Sequence, residues 1–146
     1  MQIKHPVRAA AVAVAVMLGT NGAAMAQSSV ALGSTVYVER LSDNVRLLEP
    51  ASRLARGDRV VTVLTWRRTG NGRTFTVTNP LPSSVYYQSS ASDQEDVSAD
   101  GGRTWGKLGS LRFGERMATA EDVTHLRWRI ASTGPSGRIA YSAIVR

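Results

Sequence analysis

Residues 58–87 consist of short runs of β-branched and aromatic residues separated by turn residues, and this pattern constrains the fold more than any other feature. In residues 58–66, apolar and threonine side chains fill both alternating faces, which suits a central strand covered on two sides. A Gly- and Asn-containing turn follows, and residues 73–79 form the next predicted strand. Pro80 and Pro82 then end regular pairing, because proline has no N–H to donate.

The rest of the chain continues in short strands. No helical period is sustained and no repeat occurs, so about seven or eight strands with regular turns predict an all-β, antiparallel β-sandwich. Trp66 and Trp128 alternate in phase with aliphatic neighbours and are expected in the core. The further strands are predicted at residues 35–41, 45–49, 84–88, 97–109 (a hairpin around Gly101-Gly102), 126–130 and 138–145.

Residues 1–26 have the three regions of a secretory signal peptide. Lys4 and Arg8 give a positive start, an apolar run covers residues 9–18, and Ala24-Met25-Ala26 is a small-x-small cleavage pattern. The apolar run is too short to span a bilayer, which needs about 20 such residues. We therefore expect export to the periplasm or out of the cell, with a signal-peptide helix over 1–26, a flexible lead over 27–34 and one sandwich domain over 35–146.

The chain is basic and has no cysteine. Its formal net charge is +7, and Lys107 is the only lysine after the signal peptide, so nearly all the positive charge is arginine. Arginine suits planar anions such as phosphates and acidic polysaccharides, but scattered arginines also follow from genomic base composition. The partner is thus expected to be an envelope protein or a polysaccharide. No nucleic-acid motif, cofactor loop or zinc spacing occurs, so no cofactor is expected.

The stretch over residues 58–87 resembles a module of bacterial surface proteins. A Val/Thr-rich strand, a Thr-Gly-Asn-Gly turn, a second Val/Thr strand, the Asn79-Pro80-Leu81-Pro82 turn and the aromatic Val85-Tyr86-Tyr87 strand follow one another. This succession is similar to the immunoglobulin-like "conserved repeat" family, catalogued as domain of unknown function eleven. The resemblance implies an immunoglobulin-like sandwich at the cell envelope and no activity.

Residues 98–105 resemble the Asp-box motif (Ser/Thr-x-Asp-x-Gly-x-Thr-Trp), carried here by Ser98, Asp100, Gly102 and Trp105. In such a hairpin the aspartate ties the turn, the glycine permits the bend and the aromatic ring plugs the core. Propeller glycosidases carry several copies, but this chain is too short for several blades. One copy therefore predicts a structural hairpin.

Candidate catalytic and metal residues are few. His125 is the only histidine after the signal peptide, and although Asp122 lies nearby, the Gly-x-Ser-x-Gly elbow of hydrolases is absent. We therefore expect no enzyme. Oxygen-rich loops bind Ca²⁺, but the spacing here matches no dedicated loop, so calcium competes with a solvated acidic loop. The calcium candidates are Asp93, Glu95, Asp96 and Asp100.

The ligand candidates combine aromatic and basic side chains. Tyr86 and Tyr87 are adjacent on a predicted strand, so one of them must face outward, and Arg127 and Arg129 alternate on another strand. The function expected from the sequence is a non-enzymatic structural or adhesive module of the bacterial cell envelope. The alternative is a small carbohydrate- or anion-binding accessory protein.

Overall fold

The computed structural model describes residues 29–70 and 72–146, which form β-strands joined by turns. In this part of the chain the elements are β1 (Ser29–Ser42), β2 (Val45–Pro50), β3 (Arg59–Thr69), β4 (Thr74–Pro80), β5 (Val85–Ser90), β6 (Asp96–Ser98), β7 (Arg112–Phe113), β8 (Arg116–Met117), a 3-10 helix (Ala120–Asp122), β9 (His125–Ala131) and β10 (Ser136–Val145).

Two antiparallel sheets pack face to face. The larger sheet has the strand order β2-β1-β3-β10-β5 and the smaller has the order β4-β9-β6, while β7 and β8 form a separate hairpin. β3 pairs with β10 in the larger sheet and β4 pairs with β9 in the smaller, so the second pair is nested inside the first along the chain. Strands divided in this way between two packed antiparallel sheets form a β-sandwich.

The core lies between the two sheets and follows from the alternation seen in the sequence. Trp128 and Leu126 of β9 point inward from the smaller sheet, and Tyr141 of β10 meets Trp128 from the larger one at a ring-centroid distance of 6.1 Å. At one end, Trp66 packs edge-on against Phe75 at 5.0 Å. The all-β sandwich predicted from the sequence is therefore confirmed, as are the core positions of Trp66 and Trp128.

The amino-terminal boundaries differ from the expectation. Residues 29–34 of the predicted flexible lead belong to β1, because Ser29 through Ser34 pair in register with Thr69 through Leu64 of β3. The prediction of a flexible lead is wrong over residues 29–34. Their small side chains give no local strand signal, but β3 supplies a pairing partner for them. The predicted signal peptide lies outside the described residues.

The two sheets differ in width, and this leaves part of the larger sheet uncovered. Three strands face five, so the ends of β1 and all of β2 extend beyond the smaller sheet. β2 is exposed along its whole length, and β1 is buried only around Val38.

We predict that Gly137→Ala destabilises the sandwich by about 1–3 kcal/mol. A Cβ at Gly137 would lie 2.5 Å from the Trp66 ring, and that ring is held in the core by Phe75. Urea unfolding measures the change. Gly134→Ala is the matched control, because its Cβ would meet no atom closer than 3.5 Å, and it should shift stability by less than about 0.5 kcal/mol. Equal effects for both variants would contradict the packing assignment.

Candidate functional site

The turn after β6 is built around the carboxylate of Asp100. Its Oδ1 accepts hydrogen bonds from the Ser98 hydroxyl at 2.8 Å and from the backbone N–H groups of Arg103 and Thr104 at 3.0 and 2.9 Å. Its Oδ2 accepts from the Thr104 hydroxyl at 2.7 Å. Gly102 has a φ of 88°, which glycine adopts without strain, and its N–H donates to the Ser98 hydroxyl. The geometry thus brings together the residues singled out in this motif.

These hydrogen bonds also fix the charge of Asp100. Donation by the Thr104 backbone N–H and hydroxyl, and by the Ser98 hydroxyl, holds the pKa of Asp100 well below its usual range. Asp100 therefore stays ionised at any ordinary pH, and its oxygens are committed to the turn.

Trp105 closes the hairpin onto the outer face of the smaller sheet. Its Nε1 donates to the Gly102 carbonyl at 2.8 Å, and the ring is half-buried. The Arg127 guanidinium lies 4.4 Å from the ring centroid, and its Nη2 donates to Asp96 at 3.0 Å. Arg127 is therefore held between an aromatic ring and a carboxylate. Arg129, the next outward residue of β9, is exposed and pairs in register with Thr76.

The two adjacent tyrosines divide between the faces, as the strand geometry requires. Tyr87 is buried, and its hydroxyl donates to Glu95 Oε1 at 2.6 Å. Burial, and then the Glu95 carboxylate, raise the pKa of Tyr87 above its ordinary value. Tyr86 faces outward from the larger sheet, with the Arg146 guanidinium 5.5 Å from its ring centroid.

The predicted ligand residues therefore do not form one patch. Tyr86 lies on the outer face of the larger sheet, whereas Arg127 and Arg129 lie on the outer face of the smaller sheet. Tyr87 is in the core. Each half-exposed ring, Tyr86 and Trp105, has an arginine of the same chain stacked against it.

The acidic loop before β6 is occupied by the ammonium group of Lys107. This group donates to the backbone carbonyls of Asp93 and Glu95 at 3.1 and 2.5 Å, and lies 3.7 Å from Asp96 Oδ1. The oxygen atoms that could bind a metal cation are therefore already bound to the ammonium group of Lys107. Among the described residues, no group of three or more His, Cys, Asp or Glu side chains is arranged to hold a metal ion.

His125 and Asp122 have separate partners. His125 Nδ1 lies 3.0 Å from the Thr124 hydroxyl, which also accepts from the Gly101 N–H. The Asp122 carboxylate accepts from both Nη atoms of Arg116 at 2.6 and 2.8 Å, and from the backbone N–H of Thr119. Asp122 thus caps the 3-10 helix, and it is not among the hydrogen-bond partners of His125.

Asn79 joins the two sheets. Its amide nitrogen donates to the Tyr141 hydroxyl at 3.0 Å and to the Pro80 carbonyl at 3.1 Å. Because Asn79 lies on β4 and Tyr141 on β10, the first bond crosses the interior of the sandwich. After Pro80, a turn in which the Val85 N–H donates to the Pro82 carbonyl leads into β5. The proline-containing segment therefore positions the crossover between sheets.

Sequence reasoning missed an apolar projection, which we name the β1–β2 arm (residues 39–50). Strand β1 pairs with β3 only as far as Val38, and beyond it pairs with β2 alone. Asp43 and Asn44, both at positive φ, form the two-residue connection. Six of the ten large apolar side chains that are exposed in the described part of the chain lie in or beside this arm: Val36, Leu41, Val45, Leu47, Leu48 and Leu54.

Ion pairs fix the base of the β1–β2 arm to the sandwich. Arg40 Nη1 lies 2.6 Å from Asp58 Oδ1, and Glu39 pairs with Arg59 of β3. The hydrogen bond from Arg40, followed by that from the Ala55 N–H, holds the pKa of Asp58 below its usual range. The arm therefore has a defined direction although most of it lacks a third strand.

No family model, curated protein or solved structure matches this chain. The resemblance to the conserved-repeat family therefore stays a prediction. No helix in residues 29–70 and 72–146 has the length and apolar character needed to cross a membrane.

We predict that Asp100→Ala lowers the melting temperature at pH 7 and that this difference shrinks in acid. A carboxylate whose folded-state pKa is depressed stabilises the fold above its unfolded-state pKa of about 4, and that stabilisation is lost as the pH falls further. Thermal unfolding of both proteins between about pH 7 and pH 2 measures the effect. Asp93→Ala is the control, because the Asp93 carboxylate makes no hydrogen bond within the described residues. A difference that is the same at every pH would contradict the prediction.

We predict that Lys107→Met destabilises the protein by about 1 kcal/mol and exposes the loop before β6 to protease. The variant keeps the apolar stem but removes the ammonium group that joins Asp93, Glu95 and Asp96. Urea unfolding and limited proteolysis are the measurements. In the wild type, added Ca²⁺ at about 1 mM should leave the melting temperature unchanged. A wild type stabilised by Ca²⁺, or a variant as resistant as the wild type, would refute this role for Lys107.

Proposed function

We propose that this protein is an exported, non-enzymatic β-sandwich that acts as an interaction module of the bacterial cell envelope, and that the β1–β2 arm binds another envelope protein. The observation that carries the proposal is the concentration of exposed apolar side chains on the arm. Leu41, Val45 and Leu48 are 70%, 56% and 52% exposed. Exposed large apolar side chains that are concentrated in one element indicate a protein contact, whereas such side chains scattered singly over a surface do not.

The form of the arm supports the same proposal. Leu47 and Val45 point to one face of the two-stranded ribbon, whereas Leu41 and Leu48 point to the other, so apolar side chains are available on both sides. A two-stranded ribbon is only marginally stable in water. A partner that covers the ribbon would bury these side chains. A partner that adds a strand to the free edge of β2 would also pair the backbone N–H and C=O groups of that edge.

Location at the envelope is supported by sequence alone. The positive start, apolar run and Ala24-Met25-Ala26 pattern fit a secretory signal peptide. An exported module has access to envelope proteins and polysaccharides. We propose the periplasm or the cell exterior as its place of action.

A second candidate, anion binding, is favoured by the distribution of charge. All eleven acidic residues lie within residues 39–58 and 93–122. Strands β3, β4, β5, β9 and β10 contain no acidic residue, yet they carry six arginines: Arg59, Arg67, Arg68, Arg127, Arg129 and Arg138. Arg73 and Arg146 lie just outside these strands. Part of the sandwich therefore has a positive electrostatic potential, which would attract an anionic partner.

The double variant Leu41→Lys/Leu48→Lys tests the main proposal. Charges at these exposed positions should abolish partner capture and leave the fold intact, because surface substitutions shift stability by about 0.5 kcal/mol or less. Tagged protein is mixed with envelope extract, and bound proteins are identified by mass spectrometry and then tested as purified partners by calorimetry.

Leu108→Lys/Met117→Lys is the matched control, since these side chains are exposed outside the arm. It adds the same charge and should keep the partner bound. Partner binding lost equally in both double variants, or retained in both, would contradict a role for the arm.

A further inference from the structure

An open groove crosses the outer face of the larger sheet, at the end away from the β1–β2 arm. Its volume is about 590 Å³, and strands β1, β3 and β10 supply its lining. The floor consists of small side chains, with Ala31 and Gly33 on β1, Thr65 on β3 and Ser136 on β10. A Cβ at Gly33 would lie 2.8 Å from Thr65 Oγ1, so the glycine is what leaves the floor open.

Two arginines also line this groove. In register, Arg67 pairs with Ser136 and Thr65 pairs with Arg138, so Arg67 and Arg138 are diagonal neighbours on one face. Both alternate with buried or half-buried inward residues, and both are exposed. Diagonal neighbours lie about 7–8 Å apart, which lets both side chains reach one ligand.

Neither guanidinium has an acidic or hydrogen-bonding partner within the described residues. Arg129 of β9 also has no such partner among the described residues, whereas Arg40, Arg59 and Arg127 each pair with a carboxylate. Free guanidinium groups offer planar, forked donors that match carboxylates.

The surroundings add positive charge and no negative charge. The Arg68 side chain lies in the same end of the sandwich, where it donates to the carbonyls of Ser132 and Gly134. Arg73 is joined to that turn, since its carbonyl accepts from the Ser132 N–H. No acidic residue occurs in the strands that line the groove except Glu39, which lies at the far end of β1 and pairs with Arg59.

We propose that this groove binds an acidic polysaccharide, with Arg67 and Arg138 holding carboxylates of the chain and the hydroxyls of Thr65 and Ser136 available to its sugar hydroxyls. The inference deepens the anion-binding function proposed second above and rests on it. The groove is open to solvent and not enclosed, as a polymer requires. Its lining favours a polysaccharide over a single-stranded nucleic acid, because base stacking needs exposed aromatic rings, and Trp66, the aromatic residue among its lining, is buried.

Binding of polygalacturonate to the full protein at low salt tests the proposal. Arg67→Gln/Arg138→Gln should bind about tenfold more weakly, because each surface ion pair contributes at most about fivefold. Arg56→Gln/Arg103→Gln is the matched control, since it removes the same charge from exposed positions outside the groove and should bind like the wild type. Isothermal titration calorimetry measures both.

A charge-neutral variant separates the groove from general attraction. Ala31→Leu fills the floor from an exposed position beside Arg67, leaves the net charge unchanged, and should weaken binding severalfold. Thermal unfolding confirms that each variant is folded.

The possible outcomes lead to different conclusions. If the two double variants bind equally well and Ala31→Leu is without effect, the groove assignment is overturned, while anion binding stands at another site. If the wild type does not bind polygalacturonate, this inference fails, and if it binds neither polygalacturonate nor single-stranded DNA, the anion-binding function fails as well. If single-stranded DNA binds more tightly than polygalacturonate through Arg67 and Arg138, the polysaccharide assignment is overturned in favour of nucleic acid.

Discussion

The packing of a three-stranded sheet on a five-stranded one is the constraint on which the rest of the structure depends. Trp128 and Leu126 fill the centre of the interface from the smaller sheet, and Tyr141 meets them from the larger. Burial of such large side chains is the main stabilising contribution in a domain that has no cysteine. Because the smaller sheet ends where the core ends, the wider sheet keeps strand surface that has no internal partner.

Buried polar groups in this core serve to position the loops. Asn79 donates across the sandwich to the Tyr141 hydroxyl, and Tyr87 donates to Glu95. Glu95 is nearly buried, and its Oε2 has no partner among the described residues. A buried carboxylate is costly unless it is hydrogen-bonded, so the Tyr87 contact is what permits Glu95 to anchor the acidic loop. The hairpin that carries Asp100 is attached next to it through β6.

Much of the fold was predictable from the sequence because the alternation of inward and outward side chains along a strand is a local property. The positions of β3, β4, β9 and β10 follow from residues that neighbour one another in the chain. The order of the strands was not predictable, because pairing of β3 with β10 joins residues that are 69 to 85 positions apart in the chain. The strand character of residues 29–34 was not predicted for the same reason, because it depends on pairing with the distant strand β3.

The candidate surfaces also differ in whether they could be predicted from the sequence. The turn around Asp100 could be predicted because its donors lie within four residues of the carboxylate. The separation of Tyr86 from Arg127 could not, because it depends on which sheet each strand joins. The groove combines Ala31, Arg67 and Arg138 from three distant segments, and none of these residues belongs to a local motif. What the sequence does contain is the confinement of acidic residues to two segments, from which a positive surface could have been predicted.

Strand β1 is the element that both proposed surfaces share. Ala31 and Gly33 line the groove near its start, and Leu41 belongs to the arm near its end. Ten residues of extended strand separate Ala31 from Leu41, which corresponds to about 33 Å. A polysaccharide in the groove would therefore not collide with a protein on the arm, and one copy of the chain could hold both. Because β1 is paired to β3 as far as Val38 and to β2 beyond it, the two ligands would be joined through a continuous sheet, as a protein that bridges envelope components requires.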